Sequence, residues 1–274
     1  MCRSGVCASP RDLFEQYDDG KLSTSTFSKD KSGIGSTRAG FYGGTNLHNV
    51  LSEVHINDKV CPQPTAGLLI SPHNSGTFTV TGKSGTVYAI LGVVNEKSTD
   101  PAKGVKLGGA ADYLIISGKN EGTVDFTTTG KVSVVGVDNK GRVSASAAGD
   151  ILVGNTVNSG KVVLGGKTGA IVNVDNKAGA EVTVTKGGTW KLHDVSNAKG
   201  GKVILDSDVI EIGGPGTRND GIVEVTRGKI VAMAKANTGT IIFADGVTGT
   251  LLLCKNDGKI ENNGKVKVTI KAGK

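Results

Sequence analysis

Glycine recurs along this chain on a beat of about nineteen residues, at Gly85, Gly104, Gly122, Gly141, Gly160, Gly179, Gly201, Gly221, Gly239 and Gly258. Asparagine keeps the same phase two places ahead of glycine, in Asn120-Glu-Gly, Asn139-Lys-Gly, Asn158-Ser-Gly, Asn219-Asp-Gly, Asn237-Thr-Gly and Asn256-Asp-Gly. Asn176 and Asn197 fill the two remaining places, displaced by one or two residues where the repeat lengthens. Two markers in phase constrain the fold more than any composition figure. A unit this short cannot bury its own apolar face and must stack on its copies.

After these glycines, apolar residues take the second and fourth places: Val124 and Phe126, Val143 and Ala145, Val162 and Leu164, Val203 and Leu205, Val223 and Val225, Ile241 and Phe243. Alternation of period two is the signature of a half-buried strand. Half a repeat later a weaker glycine opens another strand, as at Gly130 with Val132 and Val134, Gly149 with Ile151 and Val153, Gly188 with Trp190 and Leu192, Gly228 with Ile230, and Gly249 with Leu251 and Leu253. Each repeat therefore carries at least two strands and two turns. Strands that pair in register with their copies at ~4.8 Å give long parallel sheets around a narrow apolar interior. The expected fold is all-β, a single-chain parallel β-solenoid (β-helix) with coils of about nineteen residues over 67–274. Nine coils run from Gly104 onward and two irregular ones precede it, a rod on the order of 40 to 50 Å long. Glycine tolerates the positive φ of a tight corner and asparagine tolerates it next best. Stacked asparagine side chains can also hydrogen-bond along the axis as a ladder. The alternative reading of the asparagine row is a ligand-binding line of amides.

Residues 1–66 do not follow the beat and read as an irregular N-terminal cap or attachment arm. Asp12-Leu-Phe-Glu-Gln-Tyr suits a short helical turn, 23–44, rich in Ser, Thr and Gly, a loop or extended arm, and 49–60 a strand or capping segment. At the far end, Gly264-Lys-Val-Lys-Val-Thr-Ile-Lys is a strand whose outward face is all Lys and Thr. Edge lysines guard against uncontrolled stacking, and the same edge could dock a partner.

Composition narrows the partners. Glycine numbers 42 without a three-residue period, which excludes collagen, and β-branched residues throughout argue against disorder. Lys and Arg number 32 against 25 Asp and Glu, a net charge of +7 that suits a polyanion or an anionic surface. The cations are scattered singly, without runs or interleaved aromatics, which argues against nucleic acid. Arg142, Lys161, Lys202 and Lys259 take the first place after glycine, and Lys131, Lys229 and Lys265 stand on the second strand, so some faces should be basic. No apolar run reaches the ~18 residues of a membrane span, and the opening residues lack the apolar region of a cleaved secretory signal. Cys2, Cys7, Cys61 and Cys254 show no metal spacing. Free thiols are expected, with a bridge from Cys2 to Cys7 or to Cys61 open in an oxidising setting.

Reactive constellations are weak. Asp206, Asp208, Glu211, Asp220 and Glu224 cluster within about one coil, but a glycosidase pair must face each other across a bond with one carboxyl protonated. His193-Asp194 lacks a nucleophile on a strained Gly-x-Ser-x-Gly turn. His48, His55 and His73 are dispersed. Gly213-Gly-Pro-Gly stands alone rather than in a calcium-binding series, Thr77-Phe-Thr-Val-Thr, Thr127-Thr-Thr and Thr183-Val-Thr make no continuous ice-binding ladder, and Gly165-Gly-Lys-Thr-Gly is a turn and not a phosphate loop. No metal, cofactor or catalytic residue is expected, and a structural role is favoured over an enzymatic one.

In its stacked Asn-x-Gly coils, residues 67–274 resemble the single-chain parallel β-helix proteins of viral and phage fibres and bacterial adhesin passengers. The resemblance is architectural, and it transfers no functional residue. It implies a non-enzymatic structural or assembly protein, a rigid rod in a virion, fibre or surface component, partnered by other protein subunits in a homo- or hetero-oligomer. The alternative is a polysaccharide-binding or polysaccharide-cleaving β-helix acting on acidic glycans.

Overall fold

The computed structural model describes residues 66–74, 77–82, 84–85, 87–98, 100, 103–146 and 149–271, together with 2–3, 6–7, 37–40, 55–56 and 59–60. Among these every regular element is a strand, and the architecture is a parallel β-solenoid of about nine turns. The chain forms two compact units, 1–133 and 134–274.

In the first unit, Ala66–Asn74, Val87–Asn95 and Asp112–Asn120 stack in parallel register, with Leu69, Ile90 and Ile115 in one column. Thr77–Gly82, Gly104–Gly109 and Thr123–Thr128 make a second parallel stack. The interior is aromatic: the Tyr113 ring stacks on Tyr88 at 5.3 Å and meets the edge of Phe126 at 6.2 Å. The buried Tyr113 hydroxyl donates to the Gly108 carbonyl at 2.6 Å and accepts from the Gly82 N–H at 3.1 Å, so its polar tip is satisfied.

Thr37–Gly40, within the segment expected to be a loop or extended arm, is a strand paired antiparallel to Ala66–Asn74. His55–Ile56 and Lys59–Val60 form a short antiparallel pair within the expected capping segment. The helical turn expected at Asp12 and most of the 23–44 loop lie outside the described residues.

In the second unit every pairing is parallel. One stack runs through Arg142–Ala145, Lys161–Leu164, Glu181–Val184, Lys202–Leu205, Ile222–Val225, Thr240–Phe243 and Lys259–Asn262. The other runs through Asp150–Asn158, Thr168–Asn176, Thr189–His193, Val209–Gly213, Lys229–Ala234, Thr248–Asn256 and Lys265–Ile270. Val162, Leu164, Val203, Leu205, Val225, Ile241 and Phe243 are buried, as the alternation requires, and so are Ile151, Val153, Trp190, Leu192, Ile230, Leu251 and Leu253 on the other wall. Burying such a side chain contributes roughly 1.5–3 kcal/mol, and repeated strands supply that gain coil after coil.

Trp190 is fully buried and lies over the backbone of its neighbours. A Cβ on Gly169 would stand 2.4 Å from the indole ring, and one on Gly187 2.0 Å from its Nε1. Those two glycines make room for the single tryptophan. Its Nε1–H is buried without a hydrogen-bond acceptor among the described residues.

Candidate functional surfaces

The asparagine corners form a buried ladder. In the second unit, Asn139 donates from Nδ2 to Asn158 Oδ1, and the same bond repeats from Asn158 to Asn176, Asn176 to Asn197, Asn197 to Asn219, Asn219 to Asn237 and Asn237 to Asn256, all at 2.7–2.8 Å. Asn139, Asn158, Asn176 and Asn237 have no measurable exposure, and Asn197 and Asn219 are nearly as deep. In five of these residues Nδ2 also donates to a backbone carbonyl on the next coil: Lys161, Glu181, Lys202, Ile222 and Thr240 at 3.1–3.2 Å. Oδ1 of Asn158 and of Asn219 accepts the N–H of the glycine two places on. A primary amide has two donor hydrogens and an acceptor, so identical copies can chain without leaving any polar atom orphaned.

In the first unit Asn95 donates to Asn120 at 2.7 Å, and both are buried. The sequence reading begins the ladder at Asn120 and misses Asn95. The coil between them is 25 residues long, and the extra residues after Asn95 displace the glycine marker. Gly85 precedes Val87–Asn95, the strand that ends in that asparagine, so it belongs to the opposite corner from Gly122.

Gly104 and Gly179 on the beat have the positive φ expected, but four other corner glycines are needed for a different reason. Gly160, Gly221, Gly239 and Gly258 do not have positive φ. A Cβ on each would lie only 2.0–2.3 Å from the carbonyl oxygen of Gly141, Gly201, Gly221 or Gly239 on the preceding coil. Contact between coils, not backbone conformation, excludes a side chain there.

Positive φ also recurs at another corner, which the nineteen-residue beat does not reveal. In the second unit Gly136, Asn155, Asn173, Asp194 and Gly214 all have φ between 48° and 99°. Asn155, Asn173 and Asp194 follow one another in register. Asn173 Nδ2 donates to Asn155 Oδ1 at 2.8 Å on the surface, and Asp194 Oδ1 accepts the Gly216 N–H at 2.6 Å. The usable signal was a residue type tolerant of the left-handed region at a fixed place in each coil.

Arg142, Lys161, Lys202 and Lys259 do share one column, but Glu181, Ile222 and Thr240 occupy its other places. Lys161 meets Glu181 at 4.0 Å, Lys202 meets Glu224 at 3.0 Å, and Lys259 meets Glu261 at 2.7 Å. The acidic cluster is neutralised in the same way. Arg227 bridges Asp206 at 2.7 Å and Asp208 at 2.8 Å, and Lys191 reaches Glu211 at 3.1 Å. Asp220 accepts from the Thr238 hydroxyl at 2.6 Å and lies 4.0 Å from Arg218. The hydrogen bond to Asp206, reinforced by the charges of Asp208 and Asp206, raises the Arg227 pKa above its ordinary value. The Asp257 carboxylate, through a hydrogen bond and its charge, does the same for Lys255.

His193 Nδ1 lies 2.8 Å from Asp194 Oδ2 on the surface. The nearest hydroxyl along the chain, Ser196 Oγ, accepts from Arg218 Nε at 2.9 Å. Among the described residues no three His, Cys, Asp or Glu side chains converge as a metal-binding set, and no helix is long and apolar enough to cross a membrane. Cys2 and Cys7 are backbone register partners in a short antiparallel pair, Cys254 is a free exposed thiol, and Cys61 lies outside the described residues. His48 lies outside them as well.

Compared with protein-family models, curated proteins and solved structures, the chain matches none.

Proposed function

We propose that this chain is a non-enzymatic structural or assembly protein, a rigid scaffold of a virion, fibre or surface component whose partners are other protein subunits. The observation that carries this reading is the continuous buried amide ladder of the second unit, locked to the backbone of each successive coil. Such a column fixes every coil in register and leaves a corner no single coil can leave alone. Satisfied charges point the same way. Asp206, Asp208, Glu211 and Glu224 are each engaged by an arginine or a lysine, whereas polysaccharide cleavage requires two carboxylates set against each other across a bond.

Solution mass and electron microscopy of the purified chain test the reading. Defined oligomers or ordered assemblies are expected. A strictly monomeric particle that binds no assembly partner overturns it. A polysaccharide-cleaving solenoid would instead release reducing ends from uronic-acid polymers.

A further inference from the structure

We propose that the outward face of the last three coils of the second unit docks peripherally on an anionic lipid surface. Three strands build this face in parallel register: Ile222–Asn237, Thr248–Asn256 and Lys265–Ile270. Their solvent-facing columns read Lys229-Thr248-Lys265, Val231-Thr250-Lys267 and Met233-Leu252-Thr269, with Lys235 and Lys271 at the margin. Val231 and Met233 are 51% and 49% exposed, and Leu252 is half-buried beside them. The centre is thus apolar and its rim is five lysines, none of which forms an ion pair among the described residues, with no acid among these outward positions.

The neighbouring coils show how unusual this is. On the same wall Lys191 pairs with Glu211, and on the other wall Lys161, Lys202 and Lys259 each have a carboxylate partner. On this wall, among the described residues, only the outward face of the last three coils carries charge of a single sign around exposed Val and Met.

Magnitude decides between partners. With coils ~4.8 Å apart and alternate residues ~6.6 Å apart, the face covers roughly 10 Å by 20 Å between Cα positions. That is far below the ~800 Å² each side gives to a stable protein interface. A bilayer needs no shape complementarity, and each lysine close to an anionic leaflet adds about a fivefold gain in partition. Val231, Met233 and Leu252 would sit between headgroups while the lysine stems reach outward to phosphates. A polyanion such as an acidic glycan could use the lysines but has nothing to place on the apolar centre.

The test is sedimentation of the full chain with vesicles of phosphatidylcholine alone or with 30% phosphatidylserine, at 50 and 300 mM salt (~0.05 and 0.3 M). Binding to the anionic vesicles only, weakened by salt, is expected. Lys265→Gln/Lys267→Gln should weaken it about thirtyfold. Lys229→Gln/Lys271→Gln, a second pair at solvent-facing positions, should do the same, and Val231→Ser/Met233→Ser should weaken it roughly tenfold. Lys161→Gln/Lys202→Gln, in the ion-paired column, should leave it unchanged. Circular dichroism checks that each variant is folded. Equal binding to both vesicles overturns the proposal. So does an equal loss from the ion-paired column, which would reduce the effect to net charge. Binding to dextran sulfate that is as tight as to vesicles and indifferent to Val231→Ser/Met233→Ser would identify a polyanion site instead. An anionic bilayer is a different partner from protein subunits, so loss of vesicle binding leaves the assembly test untouched.

Discussion

Two corners of the second unit solve the same problem of turning a chain in every coil, and they solve it with different chemistry. The asparagine corner is buried, and its polar atoms have no water to fall back on. It therefore keeps one side chain, because only an amide both donates to the next coil and accepts from the last. The left-handed corner is exposed, so it requires a backbone conformation rather than a bond. Gly136, Asn155, Asn173, Asp194 and Gly214 all meet that need. Burial enforces identity, while exposure enforces only a range of φ.

The largest break in this comparison should come from Asn176→Ala. It removes the acceptor of Asn158 and the donor to Asn197, leaving two buried polar groups unpaired in adjacent coils. With a cost of about 1–3 kcal/mol for each such group, the loss should be roughly 2–6 kcal/mol in urea denaturation. A loss below that of an ordinary surface substitution would mean that water enters the corner and the ladder is not what holds it.

Asn173 sharpens the contrast at the exposed corner. Asn173→Ala should cost about 1–2 kcal/mol, the price of an alanine at positive φ, whereas Asn173→Gly should be within about 0.5 kcal/mol of the parent. If the two variants are equally destabilised, the Asn155 to Asn173 hydrogen bond matters more than the backbone conformation.

The smallest change is expected from the charge rows. Arg227→Gln breaks contacts to Asp206 and Asp208 on the surface, where solvent and salt screen the pair. Its thermal midpoint should move less than that of Asn173→Ala and should lose its difference from the parent in high salt. The raised pKa of Lys255 gives a related sign. A lysine whose folded pKa exceeds its unfolded value contributes stability below about pH 10.4, and that contribution is lost as pH rises through the folded value. Lys255→Met should therefore be slightly less stable than the parent from neutral pH up to about pH 10.4 and converge with it as pH rises through the folded value, which flattens the alkaline limb.

Much of this molecule was legible in its residues. The spacing of Asn120, Asn139, Asn158, Asn219, Asn237 and Asn256 gave the coil length, and alternation at pairs such as Val162 and Leu164 gave the buried face. Both follow from local periodicity, which survives in a one-dimensional string. Asn95 escaped because the 25-residue coil after it breaks the beat. Gly85 was assigned to the wrong corner because two turns per coil share one residue type.

What the sequence by itself determined was the repeat, the parallel stacking it demands and the amide column at the corner. Tertiary structure alone decided why Gly239 is glycine, since the carbonyl of Gly221 that excludes its Cβ comes from the preceding coil. It also decided that Glu181 and Glu224 stand against Lys161 and Lys202, and that Val231, Met233 and five unpaired lysines share one face. These are contacts between coils, and a coil's own residues do not say which neighbour will lie beside them until the register is set.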